Sequence, residues 1–132
     1  MSYRTWIRAS AALGILLVTS QAWPHHNMTA LFDLNDRVTF KGTFTKVDWR
    51  NPHIQFFVES KNDKGQVETW SIEGPPPSFF RTRDIGRADF EGALGKTVTV
   101  EASRARDHST TGLLRVLTLA DGKVISACPQ NC

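Results

Sequence analysis

The stretch Val38 to Trp49, "VTFKGTFTKVDW", constrains the fold more than any other part of the sequence. Apolar and polar residues alternate through Val38, Phe40, Gly42 and Phe44, then change phase so that Val47 and Trp49 carry the apolar parity. A period of two is the mark of a half-buried strand, and a phase change inside one requires a bulge or a sharp bend. Gly42 is a place for such a strand to coil. A long, coiled strand with two faces in sequence is what a small barrel needs to serve both halves of its sheet.

Further strands follow, separated by turn signals. After Arg50-Asn51-Pro52 comes "HIQFFVES", then the turn "NDKG", then "QVETWSIEG", where Val67, Thr69 and Ser71 share one face and Glu68, Trp70 and Ile72 the other. Gly74-Pro75-Pro76-Pro77 is a stiff breaker. Beyond it, "SFFRTRDIGRADFEGALG" predicts a short helix capped by Ser78 and carrying Phe79 and Phe80, with Gly86 keeping it short or broken. "KTVTVEASRAR" is a fourth strand with Val98, Val100 and Ala102 inward, "DHSTTG" its turn, and "LLRVLTLADG" a fifth; Asp121-Gly122 turns into the short apolar piece Val124-Ile125. Three strands, a helix and two strands is the order of the five-stranded OB-like, partly open barrel. The fold class is therefore all-β, β-rich with one short helix; a small β-sandwich of similar strand count is the alternative.

The N-terminal segment has a different character. Arg4 and Arg8 precede an apolar run from Ala9 to Val18, and Ser20-Gln21-Ala22 is a small-x-small cleavage pattern. The run is too short for the ~20 apolar residues of a membrane-spanning helix, so residues 1–22 read as a secretory signal peptide and the mature protein as periplasmic, with an uncleaved anchor as the other reading. No cysteine follows the run, which argues against a lipoprotein. Of the 16 basic and 13 acidic residues, two arginines and no acids go with the leader, leaving 14 and 13. A mature charge of +1 and the interruption of "FFRTRDIGR" by Asp84 argue against a nucleic-acid partner. The chain then divides into an N-terminal segment with a histidine pair at 23–37, a barrel domain at 38–126 and a cysteine tail at 127–132.

The tail ends in Cys128-Pro129-Gln130-Asn131-Cys132. In an oxidising compartment the expected state is a small disulfide loop, which trims the tail without supporting the core. A reactive dithiol or a soft copper or zinc pair are the alternatives.

The pair His25-His26, followed by Asn27 and Met28, "LFD", "VTFKGTFTKVDWRNPH", "WSIEG" and a closing "LTLADGKV" together resemble a family of small exported bacterial proteins, domain of unknown function 6152. The likeness runs from about Pro24 to Val124. The family usually has Ser after the paired histidines where this chain has Asn27, so no hydroxyl role is carried over to that place. The resemblance implies a periplasmic single-domain protein and no established activity.

Candidate site residues come from two constellations. Cleavage after Ala22 would leave Trp23-Pro24-His25 at the amino terminus, but Pro24 has no N–H to lose, which rules against an amino-terminal copper or nickel chelate. Side-chain ligation remains: His25, His26 and Met28, with His53 of "WRNPH" brought in by folding. Pro52 biases Asn51 to an extended conformation and holds Trp49 and His53 at the rim between the first two strands. The competing reading makes Asn51-Pro52 a turn, Trp49 a barrel plug and His53 a hydrogen-bond donor that fixes it. His108 reads as an exposed turn residue. Neutral imidazoles suit copper foremost, with zinc or nickel as alternatives.

The second constellation is aromatic. Most of Trp49, Trp70, Phe56, Phe57, Phe79 and Phe80 serve as core, but Phe56 and Phe57 are adjacent on a strand and point to opposite faces. With Glu73 and the "GPPP" loop nearby in sequence, Trp49, Phe57 and Glu73 are candidate ligand-binding residues at an aromatic rim. Glu59, Glu68 and Glu73 are mostly exposed if alternation holds, and exposed carboxylates are poor general acids. No nucleophile elbow, phosphate loop or zinc-protease helix is present in the sequence, so no enzyme is expected. Two functions stand: an exported metal-binding module, or a metal-free interaction domain that binds a partner protein or small ligand on the barrel's aromatic face.

Overall fold

The computed structural model describes residues 28–127. The short helix α1 (Met28–Leu31) leads directly into β1 (Phe32–Asp48), followed by β2 (Gln55–Lys61) and β3 (Val67–Glu73). Two single-turn helices, α2 (Pro77–Arg81) and α3 (Arg87–Glu91), precede β4 (Thr97–Ala105), β5 (Thr111–Thr118) and β6 (Val124–Ser126).

The six strands form one sheet in the order β3-β2-β1-β4-β5-β6, and β3 also pairs with β5. That extra pairing, parallel from Ser71↔Thr111 to Glu73↔Leu113, bends the sheet into a partly closed ring. The expected OB-like barrel is therefore present, as one sheet closed on itself. β1 does what its phase change requires. Its first part pairs antiparallel with β4 (Arg37↔Ser103 to Thr43↔Thr97) and its last part with β2, with the register broken between Phe44 and Lys46. Gly42 lies where β1 bends past β2: a Cβ there would stand 2.4 Å from the Glu59 carbonyl oxygen.

Alternation fills the barrel. Phe56 and Val58 on β2, Trp70 and Ile72 on β3, Val98, Val100 and Ala102 on β4, and Leu114 and Leu117 on β5 are buried together. Phe57 points the other way and is half-buried, with the Lys46 ammonium 5.2 Å from its ring centroid. The helices close one end of the barrel: Phe80 of α2 and Phe90 of α3 are fully buried, and Trp49 packs on both, at centroid distances of 6.0 and 5.5 Å.

Several sequence expectations are corrected. Pro76, not Ser78, occupies the N-cap of α2; Ser78 lies within the helix, since Pro77 takes the first helical position, where its missing N–H costs nothing. Gly86 does lie at a break, as expected, and beyond that it begins a second helix as the N-cap of α3, with the Asp89 carboxylate accepting from its N–H at 2.8 Å. The first strand begins at Phe32, six residues before the alternation at Val38, and Phe32 is itself buried. The apolar piece after Asp121-Gly122 is a sixth strand, paired with β5 from Val116↔Ser126 to Thr118↔Val124.

Candidate functional site

The loop from Trp49 to Ile54 joins β1 to β2 at the rim of the barrel. Its two ends are anchored by burial: Trp49 packs on the helix phenylalanines, and Ile54 is fully buried. Two backbone hydrogen bonds stitch the loop to the end of β3, Gly74 N–H donating to the Ile54 carbonyl at 2.8 Å and Ile54 N–H to the Pro75 carbonyl at 3.3 Å. The Asn51-Pro52 peptide between the anchors is cis.

This stitching sets His53 against Glu73, the last residue of β3, and His53 Nδ1 is bonded to the Glu73 carboxylate. The two side chains are only 30% and 17% exposed, so the pair sits at the rim with one side still open to solvent. With Nδ1 donating, the lone pair of the neutral ring lies on Nε2. A carboxylate behind an imidazole in this way fixes the ring's orientation and tautomer, the arrangement found behind metal-bound histidines. Glu73 is thus less exposed than strand alternation suggests, because β3 ends against the loop carrying His53.

Glu73 also borders a groove of about 310 Å³, together with Thr111 of β5, Arg106 and Asp107 of the β4–β5 turn, and Ala30 and Leu31 of α1. The lining is more apolar than polar, and Leu31 is exposed. Arg106 holds α1 in place: its backbone N–H donates to the Leu31 carbonyl at 2.9 Å, its Nε donates to the Thr29 carbonyl at 2.9 Å, and its guanidinium lies 3.6 Å from Asp33. In the same turn, the Ser109 backbone N–H donates to Asp107 and holds its carboxyl below the usual range. No signal in the sequence marked Arg106, because its partners, two backbone carbonyls and the Asp33 carboxylate, all lie far upstream in the chain.

The predicted site residues fall out as follows. His53 and Glu73 are brought together. Met28 begins α1 and is partly buried, and His25 and His26, immediately upstream, lie outside the described residues. Cys128 and Cys132 lie outside them as well. His108 is an exposed turn residue with φ of 57°, as expected. Trp49 is engaged with Phe80 and Phe90, and Phe57 is on the outer wall under Lys46. Among the described residues no group of three or more His, Cys, Asp or Glu side chains stands close enough to hold a metal ion. Among the same residues, no helix is long and apolar enough to cross a membrane.

None of the curated proteins and none of the solved structures matches this chain. The family of unknown function DUF6152 matches it over residues 12–115, which takes in everything from the apolar N-terminal run to the middle of β5, and the chain belongs to that family.

Proposed function

We propose that the protein is an exported, non-catalytic binding module of the periplasm whose ligand is a transition metal, copper foremost. His53 Nε2 is one ligand atom, and His25 and His26 supply the others, with Met28 sulfur as a soft fourth. The observation that carries this reading is the His53–Glu73 pair, which prepares one imidazole nitrogen for coordination at a half-open rim. A second feature supports it: Glu73 borders the same groove as Ala30 and Leu31 of α1, and α1 begins two residues after His26 in the sequence.

Imidazole nitrogens with a thioether suit copper, while three imidazoles alone also accept zinc or nickel. The test is isothermal titration of the mature protein, its amino terminus verified by mass spectrometry, with copper, zinc and nickel salts. Stoichiometric binding that weakens in both His53→Ala and the His25→Ala/His26→Ala double variant supports a shared site. Binding that survives His53→Ala unchanged overturns it. Absence of binding in the parent protein removes the metal altogether and leaves the metal-free interaction domain.

A further inference from the structure

A second cluster of side chains lies across β1, β4 and β5, and its origin is a fault in strand alternation. On β5, Leu114 and Leu117 are both buried in the core, with two residues between them where strict alternation allows one. The β4–β5 register shows why. Ala102 pairs with Leu114 and Glu101 with Val116, so Arg115 is the extra residue of a β-bulge. A bulge redirects the side chain it carries. Here Arg115 Nη1 donates to Ser103 Oγ at 2.9 Å, and Ser103 is fully buried. On the other side of β4, Arg37 of β1 is paired directly opposite Ser103. Ser103 thus holds Arg115 of β5 on its buried hydroxyl and has Arg37 opposite it in the β1–β4 ladder, across three adjacent strands.

Such a grouping is unfavourable for a protein to hold by itself. Burial, and then the like charge of Arg37, pull the Arg115 guanidinium below its ordinary pKa, with Glu101 acting in the other direction. No carboxylate among the described residues comes within ion-pair distance of either arginine, although Arg50, Arg87, Arg104 and Arg106 each have one. Among the described residues Arg115 Nε is buried with no hydrogen-bond acceptor. A partly desolvated cation with an unpaired donor and a like-charged neighbour lacks a counter-charge at ion-pair distance.

We propose that Arg37 and Arg115, the latter fixed by Ser103, form a binding site for a small oxyanion, a carboxylate or a phosphate. Planar guanidinium forks match the paired oxygens of both ions, and two forks from the strands on either side of β4 give the site its selectivity over simple halides. Ser103 is a positioning residue that holds the Arg115 fork flat against β4. The site is separate from the His53 rim and does not depend on the metal reading.

The probes are inorganic phosphate and citrate, titrated calorimetrically into the mature protein at low ionic strength. Saturable binding of at least one of them is expected, weakened about tenfold or more in Arg37→Gln and in Arg115→Gln, and weakened by added salt. Arg37 is exposed on its strand, so Arg37→Gln keeps the test valid even if Arg115→Gln disturbs the bulge; an unchanged thermal midpoint verifies its folding. His53→Ala should bind the anion as the parent does. The proposal is overturned by the absence of saturable binding for both probes, by unaltered affinity in folded Arg37→Gln, or by loss of anion binding in His53→Ala.

Discussion

Phe80 and Phe90 meet edge to face, ring centroids 5.3 Å apart at 67°, although each belongs to its own one-turn helix. Neither helix is long enough to be stable alone. Their mutual contact, and that of both with Trp49, is what fastens the β3–β4 connection onto the barrel end. Phe90 also reaches Phe56 at 5.1 Å, so its ring joins the helices to the sheet. Phe90→Ala should therefore cost about 3–5 kcal/mol, measured by urea unfolding followed by far-ultraviolet circular dichroism. A loss below about 1 kcal/mol would mean that the helix pair is not part of the cooperative core.

Gly42 is required by approach and not by backbone conformation. The Cβ of alanine there would lie 2.4 Å from the Glu59 carbonyl oxygen and 2.7 Å from Val58 Cγ1, and the first of these is backbone that cannot rotate away. Gly42→Ala should destabilise by about 1–3 kcal/mol through forced separation of β1 and β2. The same urea titration reads it, and an unchanged midpoint would show that the bend accommodates a side chain.

Glu73→Gln tests what the carboxylate does for His53. The amide oxygen can still accept from Nδ1, so the ring's orientation is kept while the negative charge behind it is removed. Metal affinity should fall about 10- to 100-fold, with the thermal midpoint of the metal-free protein little changed. Equal affinity in the parent and the variant would leave His53 without any support from its carboxylate.

Asp89 links α3 to the β5–β6 turn, accepting from Lys123 Nζ at 2.6 Å and from the Gly86 N–H at 2.8 Å. Lys123, then Gly86, hold its carboxyl below the usual aspartate range. A folded-state pKa that is depressed gives stability that is present above the unfolded value of ~3.9 and lost as pH falls through the folded one. Asp89→Asn should thus be less stable than the parent at pH 7. Because the pair is largely exposed, the difference should stay under about 1 kcal/mol. Thermal melts from neutral to strongly acidic pH should converge at the acidic end, and parallel curves would mean that the ion pair contributes nothing.

Periodicity made the barrel legible. The phase change between Phe44 and Val47 marked the β1 bulge, and the alternation of Glu68, Trp70 and Ile72 marked the inner face of β3. Phe32 to Arg37 escaped because the alternation of Phe32 and Leu34 is cut off by the polar run Asn35-Asp36-Arg37; its place in β1 is set by the Phe32↔Ala105 and Arg37↔Ser103 pairings with β4, which no local pattern encodes. The same holds for Arg115, whose bulge is visible only once β5 is laid against β4. At the rim, Pro52 and Trp49 pointed to His53, and "WSIEG" pointed to Glu73. Their direct bond depends on the loop being stitched to β3 through Ile54, Gly74 and Pro75, a long-range event.

The parallel clasp between β3 and β5 is only three residue pairs long and joins positions far apart in the chain, 71 to 111. Every other wall of the ring is an antiparallel ladder at least five pairs long. The clasp must also repay the entropy of a long loop, which makes it the wall of the ring with the least to hold it closed. Glu73 and Thr111 stand on opposite sides of that seam and both line the groove beside α1. Anything that fills the groove touches both sides at once and acts as a latch, so ligand affinity and the closing of the ring are two readings of one free energy.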